Sequence, residues 1–119
     1  MLRKLIAGPL LVCCAGAQTL EQAKRAFDKG DYATATRLFE QANRTSPSCE
    51  FQFYIGMSRY RQGQPGPAII AFQTAVQCDP KLILAHLALA EAYAERGNDS
   101  AALAALQKAL AIEPKNTAA

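Results

Sequence analysis

Few side chains in this 119-residue chain could carry chemistry, and His86 is its single histidine. A metal site on a helix needs a second ligand three or four residues away. His86 has no Cys or carboxylate at either spacing, and the next acid downstream is Glu91. Glu91 and Glu95 are four apart, which puts two carboxylates on one helical face. Such a pair could divide acid and base roles, but on a solvent-facing surface it is a charged patch. The glycines stand singly, so no phosphate-cradling loop exists. These residues point to a protein that is not an enzyme, with no catalytic residue, metal, cofactor or small-molecule substrate.

The composition says which elements must position anything else. One domain or a few small repeats fit this length. Half of the residues are hydrophobic and the net charge is only +3, which excludes a disordered tail. Ala occurs 24 times and Val twice. Ala is the best helix former and Val a typical strand residue, so the chain reads as all-α.

Residues 1–17 read as an address. Arg3 and Lys4 precede an uncharged run from Leu5 to Ala17 that ends Ala15-Gly16-Ala17. That is the layout of a secretory signal peptide, with cleavage before Gln18. The run is too short to span a bilayer, which needs about 20 apolar residues. Two alternatives stay open: a helix packed in the domain, and a membrane anchor, with lipid on Cys13 or Cys14 as one form of it. With Arg3 and Lys4 gone, the net charge falls to +1, and no clustered basic face remains for nucleic acid.

The remainder repeats itself. Pro47, Pro80 and Pro114 are 33 and 34 residues apart. At the same offsets before them stand Gly30, Ala35, Phe39 and Ala42; Gly63, Ala68, Phe72 and Ala75; and Gly97, Ala102, Leu106 and Ala109. Ile55-Gly56 and Leu89-Ala90 recur ahead of Gly63 and Gly97, with Gln22-Ala23 the weaker counterpart ahead of Gly30. This pattern resembles the tetratricopeptide repeat, a 34-residue helix–turn–helix unit. The family's following aromatic is Tyr93 in the third unit, whereas the second has Arg59 there and Tyr60 one place late.

The resemblance implies an α-solenoid of about six antiparallel helices in a right-handed superhelix. Its units are 18–48, 49–82 and 83–116, with a tail at 117–119. Local signals agree. Thr19 with Gln22 forms a capping box. Gly30, Gly63 and Gly97 suit left-handed helix ends. Asp31 and Asp99 suit N-caps, and Pro67 suits a first helical turn. The repeated alanines let helices approach closely, with Phe39 and Phe72 filling the space between.

The resemblance also implies where a partner sits. In this family the first helices of the units line a concave groove for protein or peptide. The matching residues are Leu20, Lys24, Phe27 and Asp28; Phe53, Tyr54, Met57, Tyr60 and Arg61; and Leu84, Leu87, Glu91 and Glu95. The late Tyr60 leaves open which of Phe53 and Tyr54 faces the groove. Some members clamp a C-terminal carboxylate with Lys, Asn and Arg; here Lys24, Tyr54, Leu84 and Ala88 occupy those places, so that clamp is absent. His86 falls where the family has a bulky packing residue. Cys49 and Cys78 fall at neighbouring ends of the second unit's helix pair, where an exported chain can bridge them; the alternative is that Cys78 is a small core residue. Leu103, Leu106 and Leu110 form an apolar stripe on the last helix, implying self-association or docking of a partner helix.

The expected protein is therefore an exported, non-catalytic scaffold, periplasmic or secreted, as a component of an envelope assembly. The rivals are a chaperone or accessory subunit of the cell envelope, a membrane-anchored protein, and a shortened chain whose further repeats would cover the last helix.

Overall fold

The computed structural model describes residues 18–112. The expectations on residues 1–17, on Pro114 and on the tail lie outside the described residues. Six helices follow one another, with no strand among the described residues. They are α1 (18–29), α2 (Tyr32–Thr45), α3 (Cys49–Arg61), α4 (Pro65–Cys78), α5 (Ile83–Glu95) and α6 (Asp99–Ile112). Connections of two to four residues make neighbours antiparallel. From α2 onward each helix packs on the next, and α3 also touches α5. The all-α solenoid of helix pairs expected from the repeat is the observed architecture.

The first helix of each pair ends in the same way. Gly30, Gly63 and Gly97 take φ of +85°, +78° and +79°, a region that costs a side chain about 1–2 kcal/mol. Each closes a Schellman turn. Asp31, Gln64 and Asn98 N–H donate to the carbonyls of Ala26, Arg59 and Tyr93 at 2.9, 3.0 and 2.9 Å. The glycine N–H groups donate to Phe27, Tyr60 and Ala94.

The starts differ from expectation in two places. Gln18, Thr19 and Leu20 are already helical, so Thr19 lies inside α1. A cap needs non-helical backbone, and Thr19 does not have it. Asn98, not Asp99, caps α6: its Oδ1 accepts from Ala101 N–H at 3.2 Å and its carbonyl from Ala102 N–H. Asp99 is the first helical residue, where a carboxylate meets the positive end of the helix dipole. Asp31 does cap α2, accepting from Thr34 N–H at 3.4 Å.

Small residues set the helix spacing. Ala35, Ala68 and Ala102, then Ala42, Ala75 and Ala109, are all buried. Phe39 and Phe72 are fully buried, each anchoring one core cluster. A Cβ on Gly56 would lie 2.5 and 2.6 Å from two ring carbons of Phe72, so glycine lets that ring lie on α3. Leu106 departs from its equivalents Phe39 and Phe72, being 41% exposed. No helix follows α6 among the described residues to cover it.

Candidate functional site

A cleft of about 100 Å³ opens between α3 and α5. Phe72 of α4 and Ala88 of α5 form part of its lining, with Met57 and Tyr60 of α3. Arg61 stands on the α3 side and Glu91 on the α5 side. Both are exposed, and neither joins an ion pair among the described residues. The cleft is a small notch of mixed polar and apolar lining between two opposite charges. Leu84 and Leu87 share the helical face of Glu91 at spacings of seven and four. They are 57% and 41% exposed. Glu95 is exposed one turn further on.

The structure thus brings Met57, Tyr60, Arg61 and Glu91 together. It spends the other aromatics differently. Tyr54 stacks on Phe39 with centroids 5.1 Å apart and 9° between planes, and meets Phe27 edge-on at 6.0 Å. Phe27 also meets Tyr32 edge-on. Tyr54, Phe27 and Leu20 pack against the first core cluster, holding the first two helix pairs together. Phe53 and Met57 pack against the second, Phe53 tilting on Phe72 at 6.0 Å. Lys24 and Asp28 are exposed on α1.

The misplaced aromatic of the second unit has a physical account. Tyr93 accepts a hydrogen bond at its hydroxyl from Gln73 Nε2 at 2.7 Å, tying α5 to α4. One unit earlier the same two positions hold Arg59 and Glu40. Arg59 Nη2 donates to Glu40 Oε1 at 2.8 Å, tying α3 to α2, and Nη1 reaches Pro67 O at 3.5 Å. An ion pair has replaced an aromatic–amide pair, and Tyr60 is left beside the cleft. The repeat pattern alone gave no signal of this exchange, because it compares one position at a time.

Two buried polar groups sit away from the cleft. His86 is 5% exposed, and its Nε2–H donates to Pro80 O at 2.8 Å, so it closes the α4–α5 turn. Ser58 is fully buried and its hydroxyl has no hydrogen-bond partner among the described residues. At the far end of the α3–α4 pair, Cys49 and Cys78 are joined in the structure, their Cα atoms 5.5 Å apart. They are the first residue of α3 and the last of α4.

Family models described as tetratricopeptide repeat match residues 20–83 and 59–119. The chain belongs to the tetratricopeptide repeat family. It is 31% identical over 105 residues to cellulose synthase operon protein C of Escherichia coli (strain K12). That match covers 87% of this chain but 9% of the relative, so the chain spans a small fraction of that protein. Among solved structures it is similar to the Yersinia enterocolitica type III secretion chaperone SycD, in complex with a peptide of the translocator YopD. The TM-score is 0.78 at 21% identity, covering 82% of this chain and 75% of that one. It is also similar to the first tetratricopeptide domain of Spaghetti bound to an HSP90 peptide, with TM-score 0.78 at 16% identity, covering 83% and 79%. At these identities the likeness is one of fold.

Proposed function

We propose that this protein is a non-catalytic scaffold that binds a protein or peptide segment between its first-of-pair helices. The cleft lined by Met57, Tyr60, Phe72 and Ala88 carries this reading. Met57 and Tyr60, partly exposed above the buried Phe72 and Ala88, offer it thioether and aromatic surface flanked by opposite charges, the kind of residues that anchor partners. Exposed Leu84 and Leu87 extend it along α5. Fold relatives that hold a translocator peptide or an HSP90 peptide support the same use.

A phage-displayed peptide library selected on the purified chain tests this. Enriched peptides are expected to carry an apolar anchor residue. Tyr60→Ala is expected to weaken the best of them about tenfold or more, as loss of a hot-spot aromatic does. Equal binding to the Tyr60→Ala and Arg61→Glu variants, with helicity retained, contradicts the reading.

The protein is further proposed to be exported to a bacterial periplasm or secreted, with residues 1–17 removed as a signal. An oxidising compartment suits the Cys49–Cys78 pair. No described helix is long and apolar enough to cross a membrane. Intact mass of chain expressed in a bacterial host reads out both points. Expected is a start at Gln18 and a deficit of two hydrogen atoms restored by reductant. A retained Met1 refutes the cleavage, and an unchanged mass on reduction refutes the bridge. The outer face of α6, the last described helix, is the second proposed binding surface.

A further inference from the structure

The two junctions between helix pairs differ on the side away from the cleft. At the first junction Arg59 of α3 reaches both neighbours: Nη2 donates to Glu40 Oε1 on α2, and Nη1 to Pro67 O on α4. One guanidinium bridges the furrow between those helices. At the second junction the same places hold Tyr93, Gln73 and Ala101. Gln73 Nε2 donates to the Tyr93 hydroxyl, which ties α5 to α4 and does not reach α6. Ala104 stands where α4 has Ile70. There an open furrow of about 460 Å³ remains, lined by α4, α5 and α6.

This furrow holds a buried acceptor. His86 lines it and is only 5% exposed. Its Nε2–H is committed to Pro80 O, so Nδ1 of the neutral ring carries a lone pair, with no partner among the described residues. Further along, Gln73 Oε1 and the Tyr93 O–H are also left over from their mutual bond, an acceptor beside a donor. Leu89 and Ala105, both buried, add apolar floor. Lys108 supplies the one fixed charge of the lining, exposed and in no ion pair among the described residues. Because α5 and α6 are antiparallel, Lys108 and His86 share one end.

We propose that this furrow binds a short extended segment of another protein, acidic at one end and aliphatic in the rest. From His86 to Tyr93 the helix rises about 10 Å, the span of about three extended residues. Such a segment carries N–H groups for His86 Nδ1 and Gln73 Oε1 and a carbonyl for the Tyr93 hydroxyl. Its aliphatic side chains cover Leu89 and Ala105, and its carboxylate faces Lys108. The rest of this chain complements the furrow poorly. Residues 1–17 hold cations and no acid, and residues 113–119 set Glu113 between Ile112 and Pro114, which has no N–H, with Lys115 next. A second copy offers helices and short turns in its described part. At 100° per residue, His86, Leu89 and Tyr93 lie on the face of α5 opposite Ala88 and Glu91. The furrow is therefore separate from the cleft and does not rest on that reading. With both filled, α5 stands between two bound segments.

Nuclear magnetic resonance titration of the full chain with two capped probes, acetyl-Asp-Val-Val-amide and acetyl-Val-Val-Asp-amide, tests this in both chain directions. The single histidine makes its ring nitrogens readable without ambiguity. With one of these probes the Nδ1 signal is expected to move while Nε2, held by Pro80 O, stays. Replacing Asp by Lys in that probe is expected to weaken binding about tenfold, and Lys108→Glu, at an exposed residue, to reverse the preference. Tyr93→Arg with Gln73→Glu, which copies the first junction, is expected to abolish binding with helical circular dichroism kept. A selected cleft peptide is expected to bind that double variant as it binds the parent. A still Nδ1 signal with both acidic probes overturns the proposal. So do equal binding of acidic and basic probes, a preference indifferent to Lys108→Glu, or full binding to a folded double variant. An Nδ1 signal that follows chain concentration without probe also overturns it, and gives the furrow to a second copy.

Discussion

At the residue scale, the exchange of Tyr93 and Gln73 for Arg59 and Glu40 shows one position solving the same packing problem twice. The Arg59–Glu40 pair is partly exposed, at 29% and 39% of its side chains, so solvent screening discounts its strength. Arg59→Ala is expected to cost roughly 1 kcal/mol, at the upper range for such pairs. Arg59→Tyr with Glu40→Gln, which copies the later junction, is expected to recover most of that loss. A double-mutant cycle by urea unfolding reads this out, and simple additivity of the two changes contradicts it. Gly56 gives a second case. A methyl there collides with the Phe72 ring, so Gly56→Ala is expected to destabilise by about 1–3 kcal/mol in spite of alanine's better helix propensity. Phe72→Ala, emptying the same contact from the other side, is expected to cost about 3–5 kcal/mol. Equilibrium unfolding midpoints check both; a stabilised Gly56→Ala would mean that the ring moves freely aside.

At the element scale, most of the fold was legible because it is written in punctuation. Three glycines at one offset became three identical Schellman turns, and the repeated alanines became the close contacts between helices. The helix starts were less legible. Asn98 and Asp99 are adjacent residues of equal capping quality, and only the geometry of the turn after Gly97 decides between them. Thr19 failed as a cap for a different reason: a capping box is a short local signal, and the helix runs through it. The candidate site was legible in part. Met57, Tyr60, Arg61 and Glu91 meet at the cleft, while Tyr54, partly buried, packs against the first core cluster, since only three dimensions show which aromatic Phe39 takes as its stacking partner. The α3–α4 pair also carries the cysteines. With a sequence separation of 29, replacing both by Ser is expected to lower stability by roughly 3–4 kcal/mol on the loop-entropy account. Unfolding of the parent with and without reductant checks this; equal midpoints contradict a bridge in solution.

At the scale of the whole molecule, three helix pairs bury their faces only by stacking, and about three is the usual minimum for a stable array. Among the described residues the outer faces of the first and last helices are unlike: polar at α1 and apolar at α6. His86 closes a turn, and among the described residues no group of His, Cys, Asp or Glu could hold a metal ion. What the molecule does assemble is a notch with opposite charges on its two sides, held by helices that are themselves fixed by Phe72. This notch is where we propose that a partner binds. A nuclear magnetic resonance titration of labelled chain with a library-selected peptide tests it most directly. Shifts are expected to gather at Met57, Tyr60, Arg61, Ala88 and Glu91 and to spare the exposed side of α2. Shifts gathered on α2, or spread without focus over all six helices, would contradict it.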